Sequence, residues 1–215
     1  ARMTGLRALD LAGNRVANLR GLEQCVFLET LDLSGNDITD LSPLARLTRL
    51  RELRLKDNQV SDLSPLAGLT NLVHLDLAEN HAVQLQPLSA LPRLKFLNLE
   101  NNGITTIDGL EHCLALENLN LARNPVTKFD PIARLPELRQ LMVDATKART
   151  VMPLAGLKSL RTLDFEWSTG KPRGEIDRLR AALPHCALQQ VGLIQKNADA
   201  GVGHILVSPL SSTTT

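Results

Sequence analysis

Cysteine and histidine are the residues through which this chain could bind a metal ion or form a covalent intermediate. Two adjacent pairs, His112 with Cys113 and His185 with Cys186, have the ligand types of a zinc site or of an activated thiolate. Neither pair has a third ligand nearby in the sequence, and the other histidines show no metal-site or catalytic spacing. The sequence therefore predicts no metal site.

Motifs typical of enzymes are missing from the sequence as well. It contains no Walker loop for phosphate, no Gly-x-Ser-x-Gly nucleophile elbow and no His-Glu-x-x-His zinc motif. Tyrosine is absent and aromatic residues make up 2% of the chain, which disfavours a large aromatic ligand pocket. We therefore expect a protein that is not an enzyme, with no catalytic residues and no cofactor.

Charge and hydrophobicity restrict the classes of partner. The 215 residues include 24 Lys+Arg and 23 Asp+Glu, so a formal net charge of +1 gives no global field that would attract nucleic acid or an anionic membrane. At 43% hydrophobic residues the chain is too apolar for intrinsic disorder. No apolar stretch approaches the roughly 18 to 20 residues that span a bilayer. We expect one domain, no nucleic-acid partner and no membrane insertion.

The cysteine count and the first residues bear on the location of the protein. Three cysteines are too few and odd in number for a disulfide scaffold, which favours a reducing compartment. The chain opens at Ala1 with neither an initiator Met nor an apolar signal segment, so we expect a fragment or a processed product. A cytoplasmic location is favoured, and a secreted effector is the alternative.

One pattern of leucines returns every 22 residues along most of the chain. Within each unit, apolar residues occupy the first, fourth, sixth, eleventh, fourteenth, seventeenth and twentieth positions, and the ninth is Asn in six units. The ninth position becomes Thr146 and Ser168 in the last two units. The units begin at Leu6, Leu28, Leu50, Leu72, Leu94, Leu116, Leu138 and Leu160.

The run Leu-x-x-Leu-x-Leu-x-x-Asn-x-Ile/Val resembles the leucine-rich repeat and covers about residues 3–170. The second halves of the units, such as residues 40–44 and 62–69, resemble the 22-residue class shared by bacterial internalins and by the eukaryotic phosphatase regulator SDS22. Resemblance to this class implies a fold more firmly than it implies a function.

The spacing within a unit predicts how the chain folds. Leu-x-Leu at positions four and six has the period of a strand with one buried face, so successive units stack into a parallel sheet. The second half has apolar residues at every third position with Pro or Gly between them, which favours 3-10 turns. We predict an α/β leucine-rich repeat solenoid with a curved parallel β-sheet on the concave face and a 3-10 or irregular convex side. The ninth-position Asn should bind backbone groups of adjacent coils.

Both ends of such a stack need closure, because an uncovered coil would expose its leucines. The sequence predicts eight repeat units within residues 1–170, a C-terminal cap at 171–197 and a flexible tail at 198–215. The cap is expected to hold a helix over 175–183 and a strand around 188–193. Met3 falls in the twentieth-position column, so an earlier repeat or an N-terminal cap is expected to precede the chain.

Stacking also excludes a disulfide between the two cysteines of the repeats. Cys25 and Cys113 share the twentieth position but lie four units apart, which at about 4.8 Å per coil separates them by roughly 20 Å. A disulfide needs Cα atoms within about 7 Å. We expect both to replace leucine in the core as small apolar residues.

The concave face should consist of positions three, five and seven of each unit, because the residues between them point into the core. These columns are polar with an acidic bias, which argues against nucleic acid. Phe96 and Met142 are expected to be exposed there, with Trp167 at the rim. Large side chains of this kind are typical of interface hot spots. The predicted partner-binding residues are Arg54, His74, Asp76, Phe96, Asn98, Asn120, Met142 and Trp167.

The sequence therefore predicts a monomeric, non-catalytic protein–protein interaction module that binds a protein partner on its concave face. Two alternatives remain at this point. The chain could be the targeting or substrate-recognition part of a larger enzyme or bacterial effector. It could also be a phosphatase-regulatory protein, as the resemblance to SDS22 implies.

Overall fold

The structure, a computed structural model, describes residues 5–165 and 173–190. Trp167, Ser168, Met3, the end of the predicted cap strand and the predicted tail at 198–215 lie outside the described residues. The predictions made for those positions stay predictions.

The described residues form one parallel sheet whose nine strands follow each other in sequence order. Across the first eight strands, each residue lies opposite the residue 22 positions later, as in the pairing of Leu53 with Leu75. The second residue of each of these eight strands is a leucine that packs in the core or, for Leu9, against it. The strands are β1 (Ala8–Asp10), β2 (Thr30–Asp32), β3 (Glu52–Arg54), β4 (His74–Asp76), β5 (Phe96–Asn98), β6 (Asn118–Asn120), β7 (Gln140–Met142), β8 (Thr162–Phe165) and β9 (Ala187–Gln190).

Between strands the chain returns through short 3-10 helices on the convex side. Five of these helices have Pro as their second residue, where the fixed φ of proline suits a helix start and no backbone hydrogen bond is lost. The other two follow Gly21 and Gly109, whose φ values are 99° and 103°. The 3-10 helices are Leu22–Gln24, Ser42–Leu44, Ser64–Leu66, Gln86–Ala90, Leu110–His112, Asp130–Ile132 and Met152–Gly156. The predicted fold class is confirmed.

The apolar columns of the repeat form a single core that runs along the solenoid. Leucines of neighbouring coils bury each other, because one coil alone has no second layer to cover it. Cys25 and Cys113 are both buried in this core, as predicted, and burial raises the pKa of the Cys113 thiol to about 12. A thiol with that pKa is protonated at neutral pH, so Cys113 is not an activated nucleophile.

The ninth-position asparagines form a buried ladder between coils. Asn58 is typical: its Nδ2 donates to the carbonyl oxygen of Leu33 at 2.9 Å, and its Oδ1 accepts the backbone N–H of Ile38 at 3.0 Å. Both partners belong to the preceding coil. The same pair of bonds recurs for Asn36, Asn80, Asn102 and Asn124. The predicted role of these amides between coils is confirmed.

The residue before the ninth position adopts the left-handed conformation in each of the first seven units. In the first two coils this residue is glycine, with φ of 68° at Gly13 and 63° at Gly35. In the next five coils other residues take the same conformation with φ between 54° and 58°. They are Asp57, Glu79, Asn101, Arg123 and Ala145. A left-handed turn at this point is therefore a property of the coil, imposed by stacking whichever residue occupies the position.

A helix and a strand close the C-terminal end. Helix α1 (Arg173–Ala182) packs against the last 3-10 helix and buries Leu179, and Leu183 just beyond it is buried as well. Strand β9 then pairs with β8 over four residues. The helix begins two residues before the predicted start and ends one residue before the predicted end. Within the described part of the chain, no helix is both long and apolar enough to cross a membrane.

Candidate functional site

The concave surface is formed by the first and third residues of each strand together with the residue two positions after the strand. Arg54, on β3, lies opposite Asp76, which lies opposite Asn98 in the parallel register. Asn120 and Met142 continue the same row, and His74 and Phe96 lie side by side in the neighbouring row. Seven of the eight predicted partner-binding residues therefore lie on five adjacent strands of one surface; the eighth, Trp167, is outside the described residues.

An aromatic stack lies at the middle of this surface. The rings of His74 and Phe96 are nearly parallel, with centroids 4.2 Å apart and an angle of 6° between their planes. Adjacent parallel strands hold the two residues opposite each other, so the register itself sets the stack. Phe96 is half-buried and not openly exposed as predicted, because the imidazole covers one face of its ring.

Burial lowers the pKa of His74 below its ordinary value of 6.5, and the nearby cations Arg54 and Lys95 add to this effect while Glu52 opposes it. The imidazole is thus neutral at pH 7. A neutral ring stacked on Phe96 presents an apolar surface with one polar edge, which suits contact with a protein side chain.

Replacing Phe96 by alanine should raise the pKa of His74 towards 6.5, because loss of the phenyl ring lets water reach the imidazole. In the wild-type protein, His74 has a lower pKa in the folded chain than in the unfolded chain, so the unfolded chain is protonated first as the pH falls. Stability should therefore fall as the pH drops from 6.5 through the folded-state pKa of His74. NMR titration of the imidazole C–H resonances, assigned with His74→Gln, measures the midpoint. An unchanged midpoint in Phe96→Ala would show that the sheet and not the ring shields His74.

Ion pairs neutralise the cations of the concave surface. Arg54 contacts the carboxylate of Glu52 and lies 3.5 Å from the carboxylate of Asp32. Lys56 lies 3.2 Å from Glu79, and this hydrogen bond raises the pKa of Lys56. At the described strands β3 and β4, these cations are therefore paired with carboxylates and do not form a free basic row.

Aspartate and asparagine at the ends of the strands have a structural role that the sequence did not reveal. The Oδ1 atoms of Asp76, Asn98 and Asn120 each accept the backbone N–H two residues later, at 3.0, 3.1 and 2.9 Å. These Asx turns direct the chain out of the strand. Burial also raises the pKa of Asp76, although its backbone hydrogen bond opposes the shift. Asp76 is therefore half-buried and engaged, not a free carboxylate on an open face.

Asn120 is less accessible than the predicted partner-binding site requires. Its side chain is buried, with the residue 3% exposed, and its Nδ2 donates to Oε2 of Glu100 at 3.3 Å. A partner cannot reach it without displacing Glu100. Met142 remains half-exposed but lies two strands from Phe96. Between these two residues, Nδ2 of Asn118 donates to Oε1 of Gln140 at 2.6 Å. The accessible centre is thus His74 and Phe96 with Arg54 beside them.

The large apolar residues that are well exposed lie elsewhere. Val26 and Phe27 precede β2, Val83 lies on the return from β4, and Leu114 precedes β6. Sequence reasoning missed Val26, Phe27 and Leu114, although the repeat offered a signal: they occupy positions twenty-one and twenty-two, where the pattern asks for no apolar residue.

Comparison with known proteins agrees with this architecture. The family model described as Leucine Rich repeats (2 copies) matches residues 4–46, 48–90 and 92–134, more than half of the chain. Among the curated proteins none matches the chain.

Solved structures give three informative neighbours. An internalin (inlF) of Listeria monocytogenes is 30% identical with a TM-score of 0.82, over 87% of this chain and 55% of that one. This chain therefore spans just over half of that internalin. Internalin C2 of the same species is 29% identical with a TM-score of 0.62, over 76% and 82% of the two chains. A leucine-rich repeat protein of Leptospira interrogans, 23% identical over 87% and 61% with a TM-score of 0.64, shares the fold.

The internalin half of the predicted resemblance is supported by these neighbours, whereas they do not single out SDS22. From its repeats, its parallel sheet and the matching family model, the chain belongs to the leucine-rich repeat family and is internalin-like.

Proposed function

We propose that this protein is a non-catalytic module that binds a protein partner on its concave surface, with His74 and Phe96 at the centre of the contact. The observation that carries the proposal is the stacked pair, an aromatic surface held in one orientation in the middle of a polar sheet.

The stack has the properties of an interface anchor. Hot-spot residues are large and rigid, and they are desolvated by the partner, so truncation of one typically costs about 2 kcal/mol or more of binding free energy. Because the strands fix both rings before binding, little side-chain entropy remains to be lost. The half-exposed rings are surrounded by Glu52, Arg54 and Asp76, which can supply the polar rim of an interface.

The proposal is tested by capture of partners from extracts of the source cell with the immobilised protein as bait. The test variant is His74→Ala with Phe96→Ala. The matched control is His81→Ala with Val83→Ala, since it also removes one imidazole and one apolar side chain, both from exposed positions outside the concave surface. Captured proteins are identified by mass spectrometry and their affinities are then measured by calorimetry.

We expect the control to retain the partner and the test variant to bind it about 30-fold more weakly, which corresponds to about 2 kcal/mol. Thermal unfolding of both variants should confirm that each is folded. A partner that binds the test variant and the wild type equally well would show that the concave surface is not the binding site.

The two alternatives drawn from the sequence predict different outcomes in the same experiment. A targeting part of a larger enzyme or effector would capture a substrate or host protein, and a phosphatase regulator would capture a phosphatase catalytic subunit. The neighbouring structures are described as internalins and a leucine-rich repeat protein, so they favour neither alternative over a general binding module.

A further inference from the structure

One lateral edge of the solenoid carries a row of cations. We call it the strand-start edge: it is formed by the residues directly before and directly after the first leucine of each unit, where the chain enters the strand. From the second unit to the fifth, the residues before the first leucine are Phe27, Arg49, Asn71 and Arg93. From the first unit to the fifth, the residues after it are Arg7, Glu29, Arg51, Val73 and Lys95.

At both ends of this edge, the cations are neutralised by carboxylates of the next coil or the same coil. Arg7 pairs with Glu29 at 2.8 Å, and Lys95 pairs with Glu117 at 2.7 Å. Further along, Arg139 lies 3.9 Å from a carboxylate oxygen of Glu137. These exposed pairs contribute little to stability, but they cancel the charge at each end.

In the middle of the edge, three arginines keep their charge. The guanidinium of Arg49 lies over the ring of Phe27, 4.6 Å from its centroid, and Nη1 of Arg93 donates to Oδ1 of Asn71 at 2.9 Å. Arg51, on the other side of Leu50 from Arg49, is exposed and forms no ion pair within residues 5–165 and 173–190. Neutral partners thus position two of the three guanidinium groups without cancelling their charge.

Exposed apolar side chains flank the three arginines. Val26 and Phe27, 42% and 39% exposed, lie on one side, and Leu114, 58% exposed, lies on the other. Val26 and Leu114 occupy the same position in units four repeats apart, so at about 4.8 Å per strand they are roughly 19 Å from each other. An extended peptide rises about 3.3 Å per residue, so about six residues cover this span.

We propose that the strand-start edge is a second binding surface, and that it takes an extended acidic segment of a partner protein with an apolar residue at each end. The carboxylates of the segment would meet Arg49, Arg51 and Arg93, because the planar guanidinium binds a carboxylate through two parallel hydrogen bonds. The apolar ends would cover the side chains of Val26 and Phe27 on one side and Leu114 on the other.

The same arrangement disfavours nucleic acid at this edge. A phosphate backbone continues beyond six residues and would meet Glu29 and Glu117 at the two ends of the arginine group. It also gains nothing from Phe27 and Leu114 unless bases stack there, whereas apolar side chains next to cations match an amphipathic peptide. A short acidic segment fits between the two glutamates.

The test uses a random heptapeptide library displayed on phage and selected on the full chain. The edge variant carries Arg49→Glu, Arg51→Glu and Arg93→Glu. The matched control carries Arg15→Glu, Arg149→Glu and Arg178→Glu, which makes the same change in net charge at other exposed positions. A milder variant with Arg→Gln at the three edge positions serves if the charge reversals disturb folding, and circular dichroism checks each variant.

Peptides recovered on the wild type should be acidic in the middle and apolar at both ends. They should bind the edge variant about 30-fold more weakly by fluorescence anisotropy while binding the control within about threefold. Recovery of peptides without acidic enrichment, or equal losses in the edge variant and the control, would overturn the proposal. The concave-surface variant His74→Ala with Phe96→Ala should keep peptide affinity unchanged, so this surface and the proposed function can fail independently.

Discussion

Replacing Asn124 by alanine should lower the free energy of unfolding by about 2 to 5 kcal/mol. The residue is 0% exposed. Its Oδ1 accepts the backbone N–H groups of Asn102 and Ile104, both at 3.0 Å, and its Nδ2 donates to the carbonyl oxygen of Leu99 at 2.8 Å. Alanine leaves these backbone groups buried without partners, and each such group costs about 1 to 3 kcal/mol. Equilibrium unfolding in urea, followed by circular dichroism, measures the effect.

Asn14→Ala is the matched control, because Asn14 occupies the same position in the first coil but is exposed. Its Nδ2 contacts the carbonyl oxygens of Leu11 and Ala12 at 2.9 and 3.1 Å, where water can replace it. We expect a loss below about 1 kcal/mol there. Asn124→Asp should resemble Asn124→Ala, because a carboxylate cannot donate to Leu99 and its charge would be buried. Equal losses at Asn124 and Asn14 would contradict the ladder as a source of stability.

Features that depend on the 22-residue period could be predicted from the sequence. The leucine columns require stacking, the Leu-x-Leu spacing requires a strand, and the Pro residues of the return segments suit 3-10 helices. The asparagine ladder follows from the same period, since an inward amide at every unit can bind the preceding coil. These inferences needed only residue types and spacing, which is why the fold class and the concave location of Arg54, His74 and Phe96 were accessible.

What the sequence could not reveal depends on how the backbone closes each coil. The left-handed residue before the ninth position is glycine in two coils, but Glu79, Arg123 and Ala145 give no hint of a positive φ. Side-chain orientation within a column was equally hidden. Alternation along a strand assigns Asn120 to the concave surface, yet Glu100 of the neighbouring coil covers it. A column in the sequence therefore predicts a face and not an exposure.

Contacts between coils become predictable once the register is known. The hydrogen bonds of Arg93 with Asn71 and of Lys95 with Glu117 join residues 22 positions apart. So does the stack of His74 on Phe96. Reading each column as a row of neighbours places Arg49 between Phe27 and Asn71 and places Arg93 next to Asn71. Arg51 lies between Val73 and Glu29, whose carboxylate pairs with Arg7. The leucine pattern alone does not indicate this edge, because the edge is set by contacts between residues 22 positions apart.

Replacing Gly109 by alanine should lower the free energy of unfolding by about 2 to 5 kcal/mol, from backbone strain and overpacking together. Its φ of 103° is a conformation that L-residues with a side chain rarely adopt. An added Cβ would also lie 2.9 Å from the Cα atom of Gln86 and 3.0 Å from the carbonyl oxygen of Leu85. Both atoms belong to the backbone of the preceding coil, which cannot move aside without disturbing the stack.

Gly21→Ala separates the two causes, because Gly21 holds the same place in the first coil with φ of 99° and nothing within 4 Å of an added Cβ. It should show the backbone strain alone, about 1 to 2 kcal/mol. Urea unfolding of the two variants side by side gives the difference, which we assign to the contact between coils. If Gly109→Ala and Gly21→Ala are equally destabilised, the coil that contains Leu110–His112 does not pack on the coil before it as closely as the structure shows.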